Sequence, residues 1–382
     1  MRIAMVAACP FPWPRGTPIR VHRMAEALGR RGHDVHVVTY HLADRTPTPS
    51  MTVHRIAGPR WYMHTAPGPT FAKLALLDPL LTLKLRRLLR KMSFEVIHAH
   101  HYEGLLAAHF ARPSRLPPVV FDSHTLLENE LPQYGCGFGA VLSARAGRLL
   151  DRILPTRAQH VVAVSDDMRT HYEAAGIPSS AITVISNGVE AEHFRANNRD
   201  PDGGPSLAFA GNLARYQRVD LLLEAFAMVH AQDERARLRI VTSDDFGPFA
   251  PVCERLGIGR SVEVRDVDYD ALPAELARAT VLANPRIDCS GIPQKLMNYM
   301  ASGTPVVSFA GSAKLLEHEI SGLIVPDGDI AGFAAEVLRL MRDAELRRRL
   351  GTHAQDFVTR EYGWDQVAQR VELVYARIME AA

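Results

Sequence analysis

SLAFAGNLARYQRVDLLLEAFAMVHAQDERARLRIVT, residues 206–242, decides the fold. Ser206–Ala210 is a short apolar run that reads as a buried strand. A polar, basic loop opened by Gly211 follows it. From Asp220 to His230 apolar residues recur three and four apart, the period of an amphipathic helix. Leu238–Thr242 is again short and apolar. The same strand, loop and helix unit repeats outward in both directions. Further strands are expected at Val262–Val267, Thr280–Ala283, Pro305–Phe309 and Gly322–Val325. On the N-terminal side they are expected at Arg2–Ala8, Asp34–Tyr40, Thr52–Ala57, Val96–His100, Pro118–Asp122, His160–Ser165 and Ile182–Ser186. Ile19–Arg31 and Ile330–Arg342 carry the helical period. Continuous apolar strands alternating with amphipathic helices mean parallel sheets covered on both faces.

A chain of 382 residues exceeds what one core usually organises, about 250–300 residues, so two domains are expected. The break falls in Ala196–Pro205, ANNRDPDGGP, which continues neither helix nor strand. The expected domains are 1–195 and 205–363, with a last helix near 364–382 packing back onto the first. The fold class is therefore α/β: two Rossmann-like, doubly wound domains whose parallel sheets face a cleft. Such sheets bind ligands at the carboxyl ends of their strands.

The chain is 47% hydrophobic and 23% charged, a globular composition, and no apolar run approaches the ~18 residues of a membrane span. MRIAMVAACP reads as a first strand rather than a secretory signal, so the cytoplasm is the expected location. Cys9, Cys136, Cys253 and Cys289 have no paired spacing and read as free thiols. Residues 1–200 hold 24 Lys and Arg against 16 Asp and Glu, whereas 201–382 hold 20 against 26. The basic first half suits an anionic partner, with room for peripheral contact at the inner face of the membrane. Nucleic acid is not expected, because no basic run is interleaved with aromatics.

In the first half, Gly16 stands in a loop feeding a helix, a place where free N–H groups can meet an anion. His98, His100 and His101 cluster at the end of the fourth strand. His98 and His100 should share a face and His101 take the other, and no acidic partner is ideally spaced for a metal. His101, Tyr102 and Glu103 are candidates to line the acceptor side. The fifth strand ends Asp122-Ser123-His124, which puts Asp122 and His124 at a carboxyl end as candidates for positioning and proton chemistry. Gly139–Arg157 is amphipathic, with Arg145, Arg148 and Arg152 on one helical face and Leu142, Leu149, Leu150 and Ile153 as its apolar side. It fits either a solvated surface helix or a membrane-surface helix.

In the second half the loop Gly211-Asn212-Leu213-Ala214-Arg215-Tyr216-Gln217-Arg218 offers backbone amides and guanidinium groups to a diphosphate. A second loop, Cys289-Ser290-Gly291-Ile292-Pro293, leads into the helix from Gln294 and Lys295 through Asn298 to Ser302, then Gly303-Thr304-Pro305-Val306-Val307. Here the chain resembles the family 4 glycosyltransferases of GT-B architecture over nearly its whole length. The family pattern A-M-A-x-G-x-P-V-V is matched by the run from Met300 to Val307, and ITVISNGVEAEHF, Ile182–Phe194, matches the family's close of its first domain. His124 matches the family's active-site His, and Gly16 its Gly loop. Departures are specific. Asn212 and Gln217 stand at the usual Arg and Lys of G-R-L-x-x-x-K-G, and Ser290 and Asn298 at the two usual Glu positions.

The resemblance implies a retaining transferase. It would move a sugar from a nucleotide-diphosphate donor, most simply a UDP-sugar, to a small-molecule, glycan or lipid-linked acceptor. The donor is a co-substrate, and no cofactor or metal is expected. Arg215, Arg218 and Lys295 take the leaving charge, with Gly211, Asn212, Gln217, Ser290, Gly291, Ile292, Pro293, Gln294 and Asn298 around the donor. Asp266 and Val267 fall where the family binds the base. Asp266-Val267-Asp268 spells D-x-D, but at that base loop. A nucleotide-sugar 2-epimerase and a non-catalytic nucleotide-sugar-binding protein are the alternatives.

Overall fold

A computed structural model of the chain describes residues 1–12, 16–42, 47–65, 72–111, 117–134, 140–195, 204–289 and 291–380. The chain divides into two compact units, one of residues 1–188 with 364–382 and one of residues 189–363.

The first unit is built on seven parallel strands: β1 (Arg2–Ala7), β2 (Asp34–Thr39), β3 (Thr52–Arg55), β4 (Val96–His100), β5 (Val119–Ser123), β6 (His160–Ala163) and β7 (Ile182–Val184). Their order is β3-β2-β1-β4-β5-β6-β7. The connecting helices are α1 (Thr17–Arg30), α2 (Asp78–Lys91), α3 (His101–Ala111), α4 (Leu127–Glu130), α5 (Ala140–Ile153) and α6 (Asp166–Ala174). Successive residues of β1 point to opposite faces and so feed two cores. Ile3, Met5 and Ala7 pack against α1, and Ala4 and Val6 against the layer of α2, α3 and α6.

The second unit begins with the short α7 (Ala191–Arg195) and repeats the plan with six parallel strands. These are β8 (Ser206–Ala210), β9 (Arg237–Val241), β10 (Val262–Arg265), β11 (Val281–Asn284), β12 (Val306–Phe309) and β13 (Leu323–Val325), in the order β10-β9-β8-β11-β12-β13. Its helices are α8 (Val219–Gln232), α9 (Ala250–Arg255), α10 (Leu272–Ala277), α11 (Gln294–Ser302), α12 (Ile330–Arg342) and α13 (Ala344–Tyr362). Leu207 and Phe209 face α8 and α12, while Ala208 and Ala210 face α7, α11 and α13. Every expected strand is present, and both sheets are doubly wound.

The last helix, α14 (Trp364–Glu380), lies beside α1 in the first unit and buries Trp364, Val367, Val371, Val374, Tyr375 and Ile378. Arg30–Asp365 and Arg31–Glu372 ion pairs join the two helices at 3.1 and 2.7 Å. The first unit ends earlier than the expected residue 195. Val189 N–H donates to Tyr362 O at 2.8 Å, and Phe194 is fully buried in the second unit's core, so residues 189–195 belong to that unit. The expected linker falls mostly on residues 196–203, outside the described residues. Helix α5 is a surface helix, as read from its sequence. It buries Ser143, Gly147 and Asp151 and turns Leu142, Leu149 and Ile153 outward, because its inner stripe must approach α4 backbone closely.

Helix α11 ends on Gly303 at φ +73°, and α13 crosses it so closely that a Cβ on Gly351 would lie 1.9 Å from Gly303 O. Gly351→Ala must push α13 off α11. We expect a loss of about 1–3 kcal/mol, measured as a lowered urea midpoint.

Candidate functional site

In the first unit the site grows from strand register. β4 and β5 pair with His100 opposite Asp122, so two residues of β4 and the end of β5 present polar side chains to one spot. His98 and His100 do share a face, their rings stacked at 4.5 Å. Asp122 is fully buried, and a carboxylate there needs a positive partner. Arg20 supplies it from the inward face of α1, with its side chain only 2% exposed and 3.1 Å from the carboxylate. The same guanidinium donates to Ile185 O and Ser186 O, both at 2.9 Å, and so ties the chain beyond β7 to α1. Burial pushes the Asp122 carboxyl up, but Arg20, His124, His98 and His100 outweigh it and hold it well below the usual range. Burial in turn drives His124 and His100 well below the usual His range, so both imidazoles are neutral.

His98, His100 and Asp122 offer three metal-ligand atoms within 4.8 Å of one another. The acidic partner missing from the sequence around the histidines thus comes from the neighbouring strand. Arg20 already brings positive charge to that carboxylate, and His98 Nδ1 is engaged by the Tyr375 hydroxyl of α14 at 2.6 Å.

His124 stands just beyond β5, 3.6 Å from Asp122 and 3.2 Å from His100. His101 is not on the strand as expected. It opens α3 with φ +60°, stacks on His124 at 4.6 Å and meets Thr17 Oγ1 at 2.7 Å. Gly16 precedes Thr17 as the N-terminal residue before α1, also at φ +60°, so Gly16, His101 and His124 come together. Tyr102 departs from its expected acceptor role. It is buried, and its hydroxyl is spent on Asp151 and, at 2.8 Å, on Tyr172. Glu103 is half-buried on the first turn of α3. Asp122 has no exposure and cannot touch a substrate, so it acts only through its neighbours.

In the second unit Tyr299 of α11 fixes the end of β8: its hydroxyl accepts from Ala210 N–H at 2.6 Å and donates to Ala210 O at 3.1 Å. Gly211 follows at φ +143°, and a Cβ there would touch Phe209, Gln217 and Lys295. Lys295 Nζ donates to Gln217 Oε1 at 2.5 Å and lies 4.4 Å from the centre of the Phe209 ring. Among the described residues no carboxylate pairs with it. Burial, with Arg286 nearby, brings its pKa down to about 7. Gln217 in turn donates to Asn212 Oδ1 at 3.2 Å. Thus the Lys and Arg positions of the family cradle hold an amide pair, with the cation entering from α11.

Arg218 occupies the cradle's Gly position in left-handed conformation, φ +55°, and its guanidinium is held by Asp220 at 2.9 Å. Arg215 is exposed, and with Arg218, Asp244, Asp245 and Phe249 lines a cavity of about 730 Å³. Gly291 at φ +75°, Ile292 and Pro293 lead into α11, and Gln294 is exposed at its start. Asn298 is half-buried, with Oδ1 buried and without a hydrogen-bond partner among the described residues. Ser290 lies outside the described residues. Asp266 is exposed and Val267 half-buried just past β10. No third ligand joins Asp266 and Asp268 among the described residues.

Sequence reasoning missed Arg20, Tyr375, Tyr299 and Arg286. Arg20 carried a signal, a charge four residues before buried Met24 on the apolar stripe of α1. Arg286 stacks over the Tyr216 ring at 4.7 Å, a contact between distant loops with no sequence signature.

Residues 14–193 match the family described as Glycosyltransferase Family 4, and residues 204–343 match Glycosyl transferases group 1. An uncharacterized glycosyltransferase of Methanocaldococcus jannaschii is 26% identical, covering 100% of this chain and 99% of the relative. The phosphatidyl-myo-inositol mannosyltransferase of Mycobacterium leprae is 27% identical over 99% of this chain and 97% of its own. Among solved structures, sucrose-phosphate synthase from Thermosynechococcus elongatus shares the fold with a TM-score of 0.73 at 19% identity, covering 100% of both chains. Anabaena HepE in complex with UDP gives 0.69 at 15% identity, over 99% of this chain and 100% of that one. Two matched halves in chain order, each on the sheet whose carboxyl ends carry its motifs, place the chain among the group 1 glycosyltransferases of family 4.

Proposed function

We propose that this glycosyltransferase moves a sugar, with retention, from a UDP-sugar held by the second unit to a hydroxyl of an anionic or lipid-linked acceptor bound by the first. The observation that carries the donor half is Lys295, a desolvated cation with no described carboxylate partner, set against Gly211 where backbone can approach closely. A diphosphate brings the missing negative charge. Arg215 adds a bidentate donor from the cradle loop, and Lys295 acts as a point charge. As the sugar bond breaks, charge grows on the departing diphosphate, and fixed cations in a water-poor site stabilise it. Asn298 Oδ1, buried and unpartnered among the described residues, is suited to accept from a ribose hydroxyl where the family uses Glu. HepE, by its description, binds UDP, which supports the choice of base.

In the first unit the neutral imidazole of His124 positions the reacting sugar through a hydrogen bond. Asp122, His100 and His101 hold that ring in place, so Asp122 is a positioning residue. Reaction proceeds without a metal in this reading. A binding protein without turnover would take up UDP-sugars and release no nucleotide with any acceptor; an epimerase would yield a new sugar epimer. Mass-spectrometric screening of donors and acceptors separates these outcomes, and turnover with purine-nucleotide sugars alone would correct the base.

Three results are expected. His124→Ala keeps UDP affinity, measured by calorimetry, and lowers turnover on the order of a hundredfold. Lys295→Ala costs about 100–1,000-fold in rate, while EDTA leaves activity unchanged. Activity lost to EDTA and restored by magnesium overturns the metal-free mechanism. The third concerns pH. With Lys295 near 7 in the free protein, binding a diphosphate raises its pKa, because the anion favours the charged form. Below about pH 7 Lys295 is already protonated. Above it, binding must take up a proton, so nucleotide-sugar affinity falls by up to about tenfold per pH unit. Lys295→Arg stays charged throughout and should flatten that slope in calorimetric titrations.

A further inference from the structure

In the second unit the strand order reverses between β8 and β11, and an open parallel sheet binds its ligand in the crevice at such a point. The cradle loop leaves β8 on one side of that crevice, and the chain leaving β11 forms the other side. Arg286 stands there, two residues past β11. Its backbone is pinned from within the sheet. Asn284 Nδ2 donates to Ser312 Oγ at 2.8 Å, and Ser312 Oγ donates in turn to Arg286 O, with Asn284 and Ser312 both fully buried. The Arg286 side chain is half-buried, and its guanidinium lies 4.7 Å from the centre of the Tyr216 ring in the cradle loop.

That guanidinium is left mostly unused. Its Nε donates to Asp288 O, but among the described residues neither terminal nitrogen finds an acceptor and no carboxylate pairs with it. A cation drawn partly out of water is costly unless an anion answers it. Lys295 has the same deficit on α11, and Arg286 is near enough for its charge to depress the Lys295 pKa. The two cations are joined through uncharged side chains. The Tyr216 hydroxyl accepts from Asn212 Nδ2 at 2.9 Å, Asn212 Oδ1 from Gln217 Nε2 at 3.2 Å, and Gln217 Oε1 from Lys295 Nζ at 2.5 Å. Positions 212 and 217 are those where the family pattern carries Arg and Lys. Here they hold amides, and a cation is fastened at each end of the chain those amides make.

We infer that Arg286 contacts the sugar-side phosphate of the donor, in place of the arginine missing from the cradle, and that Tyr216 is the positioning residue that holds its guanidinium at the crevice. Arg286 opens the segment leading into Ser290 and Gly291, which the resemblance puts at the donor sugar, so the phosphate next to that sugar is the one it meets. Its free terminal nitrogens form a fork that matches two phosphate oxygens, a contact that a lysine does not duplicate. An aromatic face keeps a guanidinium in place without cancelling its charge, as a carboxylate would. Arg286 and Lys295 then reach the leaving group from separate elements, the loop after β11 and the first turn of α11. Charge that grows as the sugar bond breaks is met by cations already fixed. The inference rests on the reading of a nucleotide-diphosphate donor in the second unit, but not on the identity of its base.

The test is calorimetric titration of the full chain with UDP and UMP, and with GDP and GMP, so that the comparison holds for either base. Arg286→Gln should cut the preference for diphosphate over monophosphate at least about tenfold. Arg286→Lys should recover only part of that loss. Tyr216→Leu should lower diphosphate affinity on the order of fivefold, whereas Tyr216→Phe, which keeps the ring, should stay near the unsubstituted chain. Ser312 grips the Arg286 carbonyl rather than its side chain, so that anchor survives each substitution, and the Tyr216 pair reads the same contact without touching Arg286. Diphosphate affinity unchanged in Arg286→Gln, equal losses for diphosphate and monophosphate, or Tyr216→Phe as weak as Tyr216→Leu overturns the inference and leaves the donor reading standing. An unsubstituted chain that binds none of the four nucleotides removes the donor reading, and the inference with it.

Discussion

A carboxylate buried at the end of a parallel sheet must be neutralised, and Asp122 organises the first unit around that demand. Removing one partner of such a pair typically costs about 3–5 kcal/mol, although a well-packed apolar replacement of both can be neutral. The pair is therefore weak evidence for net stability and good evidence for a fixed arrangement. Arg20 does more than balance charge. Its donors reach the carbonyls of Ile185 and Ser186, so α1, β5 and the chain leaving β7 meet at one guanidinium. His98 extends the network to Tyr375 of α14. His124 stands at its edge, its ring held neutral by burial and oriented by the buried side chains of Asp122 and His100.

The second unit solves the opposite problem, a half-buried cation without a described acidic partner. Gln217 and the Phe209 ring offer Lys295 a carbonyl oxygen and a π face, enough to orient it but not enough to neutralise it. Its pKa falls, and the site is left electrostatically incomplete in a way that a diphosphate would complete. The lost family carboxylates fit this picture, since a Glu at position 298 would place negative charge three residues from Lys295 on the adjoining turn of α11.

The fold was legible because strand burial on both faces leaves continuous Val- and Ile-rich runs, as in Val119–Ser123 and Val306–Phe309. Pattern also placed His124, Gly211 and Lys295 at strand or helix ends, where the structure has them. It did not locate partnerships across the sheet. Nothing local to His98 announces Asp122, because register between β4 and β5 makes that contact. Tyr102 misled for a related reason: a tyrosine beside two polar residues looks like a lining group, yet its hydroxyl is consumed by Asp151 and Tyr172. The pairing of Arg218 with Asp220 two residues on had no signal in the loop pattern either. Helix α5 shows the limit of periodicity, which identifies an apolar stripe without saying whether that stripe faces the protein.

The position of α14 has a consequence for synthesis. The second unit is one continuous stretch, residues 189–363, whereas the first is closed only by residues from beyond it. During translation the β1–β7 sheet emerges first, but its face beside α1 lacks Val367, Val371, Val374 and Tyr375 until the ribosome has passed the whole of the second unit. The first domain made is therefore the last completed. Until then its open apolar face is a target for chaperones, and the second unit can fold while that face waits.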